Sequence, residues 1–257
     1  MTLREKYIAF ETIFIKEVLR FARIWVQTIV PPAITMGLYF VIFGNLIGGH
    51  IGDMAGFRYV DYISPGLIMM AVITNSYANV VSSFYGCKFH HHIEEMLVSP
   101  LPNYLIVAGF VAGGVARGLA VGLAVTLVAM LFADLKVYDA GVVVTMVILT
   151  SVLFSLAGLI NGVFARSFDD ISIIPTFVLT PLTYLGGVFY TIGMLPEFWQ
   201  SVSRFNPILY MVNSFRYGFL GVSDISLTLS YAITGLFVLA LYLYALYLLR
   251  SGKGLRQ

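Results

Sequence analysis

The sequence predicts an all-α membrane protein with six transmembrane helices and an amphipathic helix ahead of the first. Three observations predict it. Of 257 residues, 59% are hydrophobic and 11% charged, against roughly 25% charged in soluble domains. A soluble chain this apolar could not cover its own surface. Charge-poor stretches long enough to cross about 30 Å of hydrocarbon, which takes about 20 residues, occur six times. Lys and Arg are also distributed unevenly between the two sides that those stretches define.

The spans lie at approximately 24–48, 62–86, 105–133, 140–165, 171–192 and 226–249, and only the third contains a charge, Arg117. Ten Lys and Arg residues fall on the side of the chain ends and four on the other. The positive-inside rule then puts both termini in the cytoplasm. The chain reads as one membrane domain over 1–257: an interfacial helix at 1–23, a six-helix bundle at 24–250 and a cytoplasmic tail at 251–257. No cleavable signal peptide is visible. The lone Cys87 rules out an intramolecular disulfide. The net charge of +2 gives no reason to expect a nucleic-acid partner.

Ahead of span one, Leu3, Tyr7, Phe10, Phe14, Val18 and Phe21 recur at spacings of three and four, with Lys16, Arg20 and Arg23 on another face. This pattern fits a helix lying in the membrane interface; it also fits a cytoplasmic extension of span one. Pro31 and Pro32 are expected to kink or restart that span. In span two, Asn75, Asn79, Ser82 and Gly86 share one face. Span three carries Gly114, Gly118 and Gly122, with Gly109 and Gly113 beside them. Small residues four apart let helix backbones approach closely. Arg117 either snorkels to the inner interface, pairs at the helix end, or serves function. Span four has Ser151 with Ser155 and Gly158 with Gly162. In span five Thr176, Thr180 and Thr183 form a second polar face with Tyr184 adjacent, and Pro175 and Pro181 interrupt the backbone. The two polar faces either line a pathway or bond helix to helix.

No Asp or Glu lies within the six spans, and His50, His90, His91 and His92 lie outside them. Proton coupling through embedded carboxylates is therefore disfavoured, whereas sodium coupling through backbone carbonyls stays open. There is no G-x-x-x-x-G-K-[ST] phosphate loop and no catalytic motif in the spans. Energy for uphill movement must then come from a separate subunit touching the cytoplasmic loops. The second loop, 87–104, is the best contact: residues 91–98 can form a short helix stopped by Ser99-Pro100. Its three consecutive histidines project to different helix faces and make a poor chelate, so no metal is expected.

The stretch Glu94-Glu95-Met96-Leu97-Val98-Ser99-Pro100 resembles the E-x-x-L-[LV]-[ST]-P element of ABC transporter permeases of the type-2 export class. Asn206-Pro207-Ile208-Leu209-Tyr210 with Phe215-Arg216 resembles their N-P-x-x-Y-x(5)-R element. Gly186 to Tyr190 and Leu195-Pro196 resemble the apolar stretch between them. The resemblance implies a bacterial inner-membrane exporter permease acting as a homodimer. A separate ATPase would carry the ATP and Mg, and this chain would hold no cofactor. It also implies a coupling helix presenting Glu94, Glu95, Leu97, Ser99 and Pro100, and an external re-entrant helical segment at 193–225. That segment contains Asn206, Pro207, Tyr210 and Arg216, with Arg216 near the outer mouth; on the residues alone, a structural pair with nearby Asp224 is the expectation for Arg216. The substrate stays open among polysaccharides, lipids, drugs and other amphiphiles. A secondary transporter or channel without an ATPase, or a membrane scaffold, are the alternatives.

Overall fold

The computed structural model describes residues 1–254; the last three residues of the predicted tail, Arg256 among them, lie outside the described residues. The chain is almost wholly helical, in the order α1 (Leu3–Arg23), α2 (Trp25–Tyr39), a π-helical run (Phe40–Ile47) and α3 (Gly48–Ile51). A two-residue hairpin, β1 (Asp53–Met54) with β2 (Phe57–Arg58), leads into α4 (Tyr59–Phe89), α5 (His92–Val98), α6 (Asn103–Ala129) and α7 (Ala140–Phe164). Then come α8 (Asp170–Ile174), a second π-helical run (Pro175–Leu179), α9 (Thr180–Tyr184), α10 (Glu197–Arg204), α11 (Pro207–Leu220) and α12 (Leu227–Ser251).

Among the described residues, five helical stretches are long and apolar enough to cross a membrane: Trp25–Ile51, α4, α6, α7 and α12. They match predicted spans one to four and six. The predicted fifth span is different. Its helical part, Asp170–Tyr184, is 15 residues in three pieces, about 22 Å long at 1.5 Å per residue, and an irregular stretch follows it. The prolines act otherwise than expected. Pro31 and Pro32 sit inside an unbroken α2, while the break falls at Ile24, where the Thr28 hydroxyl donates to the Phe21 carbonyl. Pro175 opens a widened turn in which its carbonyl accepts from both the N–H and the hydroxyl of Thr180, the latter at 2.9 Å.

α4 is the axis of the fold. In its most apolar window 78% of residues are buried, against 22% for α12, because α6, α7, α11 and α2 surround it. Protein, not lipid, is its solvent, so it tolerates Asn75, Ser76, Asn79 and Ser83 at buried positions. The glycines set the packing register. Gly114, Gly118 and Gly122 of α6 meet Val80, Ser76 and Val72 of α4 in descending order, an antiparallel contact. Gly158 and Gly162 of α7 meet Tyr77 and Phe84 in ascending order, a parallel one. Gly109 and Gly113 of α6 receive Ile13 and Glu17 of α1. The buried stripe of α1 is thus Ile13, Glu17 and Phe21, which shares only Phe21 with the predicted apolar face; Leu3 and Tyr7 of that face are exposed.

α1, α5 and the C-terminal end of α12 share one end of the bundle. Lys16 Nζ reaches Cys87 Sγ at 3.2 Å, Ile93, Leu248 and Leu249 belong to one buried cluster, and Gly254 lies against the Val163 carbonyl.

A methyl group on Gly158 would lie 2.6 Å from the Tyr77 carbonyl oxygen, whereas one on Gly235 of α12 meets nothing. Gly158→Ala is expected to destabilise by about 1–3 kcal/mol, the cost of overpacking. Gly235→Ala should be neutral or stabilising by up to about 1 kcal/mol. Thermal denaturation in mild detergent compares the two.

Candidate functional site

Three groups of residues carry chemistry: the α5 end, a polar cluster along α4, and a clamp on the segment after α9. At the α5 end, Lys88 donates to the Val163 and Ala165 carbonyls at 2.7 and 2.8 Å, placing a cation at the C-terminal end of α7 where the helix dipole favours one. Tyr85 donates to the Arg166 carbonyl at 3.0 Å. Nearby, the Asp170 carboxylate accepts from the Arg166 and Ser167 N–H groups, which with the Ser167 hydroxyl hold it below the usual carboxylate range. These bonds tie the end of α4 to the loop after α7.

α5 follows His91, whose backbone is left-handed (φ 61°). Ile93 is fully buried and anchors the helix. Leu97 is half-buried against the same cluster. Ser99 closes the helix, its N–H donating to the Glu95 carbonyl and its hydroxyl to Met96 at 2.6 Å. Glu94, Glu95, Val98 and Pro100 are exposed, Val98 by 88%. Among the described residues no three His, Cys, Asp or Glu side chains converge in a metal-binding arrangement.

The polar cluster was only partly foreseen. Glu17 is fully buried. It accepts from the Ser83 hydroxyl at 2.6 Å and lies 3.4 Å from Arg20 and 3.6 Å from Lys16. Arg20 donates to the Asn79 carbonyl at 2.7 Å, to Asn79 Oδ1 at 2.8 Å and to Ser82 at 3.5 Å. Arg117 lies fourteen residues after Asn103 and twelve before Ala129, and donates to Asn75 Oδ1 at 3.2 Å. It points inward to α4 instead of snorkelling to a helix end. Asn75 and Asn79 are therefore buried hydrogen-bond partners of α6 and α1. The open line on α4 runs instead through Thr74, Ala78, Ser82 and Gly86. Periodicity counted Arg20 among headgroup-facing cations and gave no sign of a buried Glu17.

The second predicted stripe divides. Thr176, Thr180 and Tyr184 are exposed, while Thr183 is buried and donates to the Leu179 carbonyl. No hydrogen bond among the described residues joins this stripe to Asn75, Asn79 or Ser82. Tyr184 instead meets Tyr39, hydroxyl to hydroxyl at 3.3 Å. Their rings and that of Phe43 gather around Phe189 at 4.9 to 6.1 Å, bridging α2 to α9.

The clamp explains the Asn206 to Arg216 spacing. Asn206 caps α11, accepting from Ile208 N at 3.0 Å and donating to the Leu182 carbonyl. Pro207 takes the first helical position, where its missing N–H costs nothing. Tyr210 donates to the Arg204 carbonyl of α10 at 2.7 Å. Arg216, 1% exposed, donates to the carbonyls of Tyr62 at 3.2 Å and Gly187 at 2.6 Å, and stacks 4.0 Å over the Tyr62 ring. Gly187 presents its carbonyl from a left-handed backbone (φ 71°). The expected Arg216–Asp224 pair is absent among the described residues: Asp224 accepts from Ile192 N instead. Fully buried carbonyls offered Arg216 more acceptors than one carboxylate at the rim.

Five long apolar helices, an exposed acidic helix at one end and the Asn-Pro-Tyr-Arg clamp define a helical membrane protein with the features that the type-2 permease resemblance implies. Residues 8–220 match the ABC-2 type transporter family, and the chain belongs to it. It is 58% identical to the inner membrane transport permease YadH of Escherichia coli K12, over 98% of both chains. It is also 22% identical to nodulation protein J of Rhizobium leguminosarum bv. viciae, over 83% of both.

Arg216→Lys should lower the melting temperature well beyond Arg204→Lys, since a lysine point charge cannot stack and span two carbonyls. Each abandoned buried carbonyl costs about 1–3 kcal/mol. Arg204 is exposed and serves as the control in the same detergent melt.

Proposed function

We propose that this chain is the permease subunit of an ATP-driven exporter of the bacterial inner membrane. Two copies pair around a pathway for an amphiphilic substrate, and separate ATPase subunits, carrying the ATP and Mg, dock beneath. The observation that carries this is α5. It is held to the bundle by the fully buried Ile93, it follows directly on the axial helix α4, and it presents Glu94, Glu95 and Val98 outward. A push on α5 would reach α4 without an intervening flexible link.

Six crossings fit the shared end better than five. Five spans would separate the chain ends, whereas Lys16 touches Cys87 and Gly254 touches Val163 on the α5 side. In this reading the segment from α8 onward makes the remaining crossing in pieces, and α10 with α11 forms the external re-entrant part. The Lys and Arg bias supports a cytoplasmic α5 end. The open line of α4, from Thr74 to Gly86, would face the pathway, with Thr176 and Thr180 of the broken helix contributing from beside it and the Tyr39–Tyr184 bridge closing its outer end. ATP binding would have to favour one arrangement over the other by a few kcal/mol to drive the change.

Purification in mild detergent from the native host is expected to retain a stoichiometric ATPase that contains a phosphate loop. Combined Glu94→Ala and Glu95→Ala should weaken that association or the coupled flux by about tenfold, equivalent to about 1.4 kcal/mol. Flux in liposomes driven by an ion gradient without any ATPase would favour a secondary transporter. Unchanged coupled flux in the double variant would refute the assignment of α5.

A further inference from the structure

We propose that Arg117 and Arg20, with Asn75 and Asn79, form a recognition site for the anionic group of an amphiphilic cargo, a phosphate or carboxylate on an apolar tail. The inference rests on the reading of the α4 groove as part of a transport pathway and adds the charge of what passes along it.

The first support is the charge balance. Lys16 and Arg20 already share one carboxylate, Glu17. Among the described residues Arg117 has no carboxylate within 4.0 Å. Its one recorded partner is a neutral amide, Asn75. Asn75 and Asn79 are one turn apart on α4, about 6 Å along the axis, so the guanidinium groups bonded to them are neighbours. Two neighbouring cations with one acid near them, half-buried in an apolar bundle, repel each other and are only partly solvated. An anion relieves both penalties.

The second support is the kind of group left unmatched. The Nε–H of Arg117 and the Nδ2 amide of Asn79 have no hydrogen-bond acceptor. Asn79 is fully buried, and its orientation is set by Arg20, which donates to Oδ1. Both unmatched groups are donors, so the ligand they suit brings acceptors. Guanidinium forks fit the oxygens of phosphate and carboxylate.

The third support is access. Arg20 keeps 31% of its side chain exposed, Ser82 is half-open, and Thr74 one turn before Ala78 is exposed. Arg20 thus borders the open line of α4, and Arg117, half-buried, lies behind it toward α6.

The test uses the full-length permease alone, in nanodiscs of phosphatidylcholine, with tritiated dodecyl phosphate as the probe. Dodecyltrimethylammonium, inorganic phosphate and phosphatidic acid are competitors. Saturable dodecyl phosphate binding is expected, unaffected by the cationic amphiphile. Arg117→Gln should weaken it at least about tenfold, Arg20→Gln should also weaken it, and Arg117→Lys should retain part of it. Melting temperatures of the variants report whether each is folded. Competition by phosphatidic acid at membrane abundance would assign the site to a bilayer lipid headgroup, and equal competition by inorganic phosphate would assign it to a free anion; either overturns the cargo assignment. Wild-type affinity in folded Arg117→Gln, or equal competition by dodecyltrimethylammonium, overturns the site itself. Because no ATPase is present, these outcomes are separate from the pull-down that tests the exporter reading.

Discussion

Close backbone contact around α4 is the constraint on which the rest of this molecule depends. Lipid is as apolar as leucine, so burying leucine between helices gains little inside a bilayer. Association has to come from dispersion at short range and from hydrogen bonds. The Gly114, Gly118 and Gly122 ladder gives α6 its approach, and Gly158 and Gly162 give α7 its own. With α4 enclosed, positions such as Asn75, Ser76 and Asn79 can be polar without facing hydrocarbon. The polar cluster is a consequence of the glycine contacts as much as of the polar residues.

The same lack of outside hydrogen-bond partners governs the irregular segment after α9. Non-helical backbone is tolerated at membrane depth only where protein satisfies it. Arg216 does this for Gly187 and Tyr59 does it for Phe189, while Arg216 and Asn206 also bond the helical carbonyls of Tyr62 and Leu182 and so tie α11 to α4 and α9. The Asn-Pro-Tyr-Arg spacing is therefore an accounting of carbonyls: one short helix is capped, started, tied to its predecessor and clamped to the axis. α11, buried along most of its length, can then seat between α4, α7 and α12.

Glu17 joins the two ideas. It belongs to α1, the first element of the chain, yet its carboxylate is buried beside α4 and its stem lies on Gly113. α1 and α5 are thereby both fixed to α4, one through its side and one through its end. In the proposed mechanism, displacement at the α5 end would reach Arg20, which Glu17 and Asn79 position, through packed contacts.

Composition and run length made the helical membrane class, four of the five long apolar helices in sequence order and the last one legible, because hydrocarbon thickness imposes a length that any single span must declare for itself. Glycine spacing declared close packing, and the Glu94 to Pro100 stretch declared a short helix with a firm stop. The partners of those features were not declared. Whether Arg20 faces headgroups or Asn79, whether Arg117 snorkels or turns to Asn75, and whether Arg216 pairs with Asp224 or with carbonyls are all choices between groups far apart in the chain. Local periodicity fixes only the face a residue occupies on its own helix. The neighbour across that face, and hence the charge it meets, was decided by the tertiary packing around α4, because only that packing determines which acceptors are close enough, and dry enough, to hold a cation.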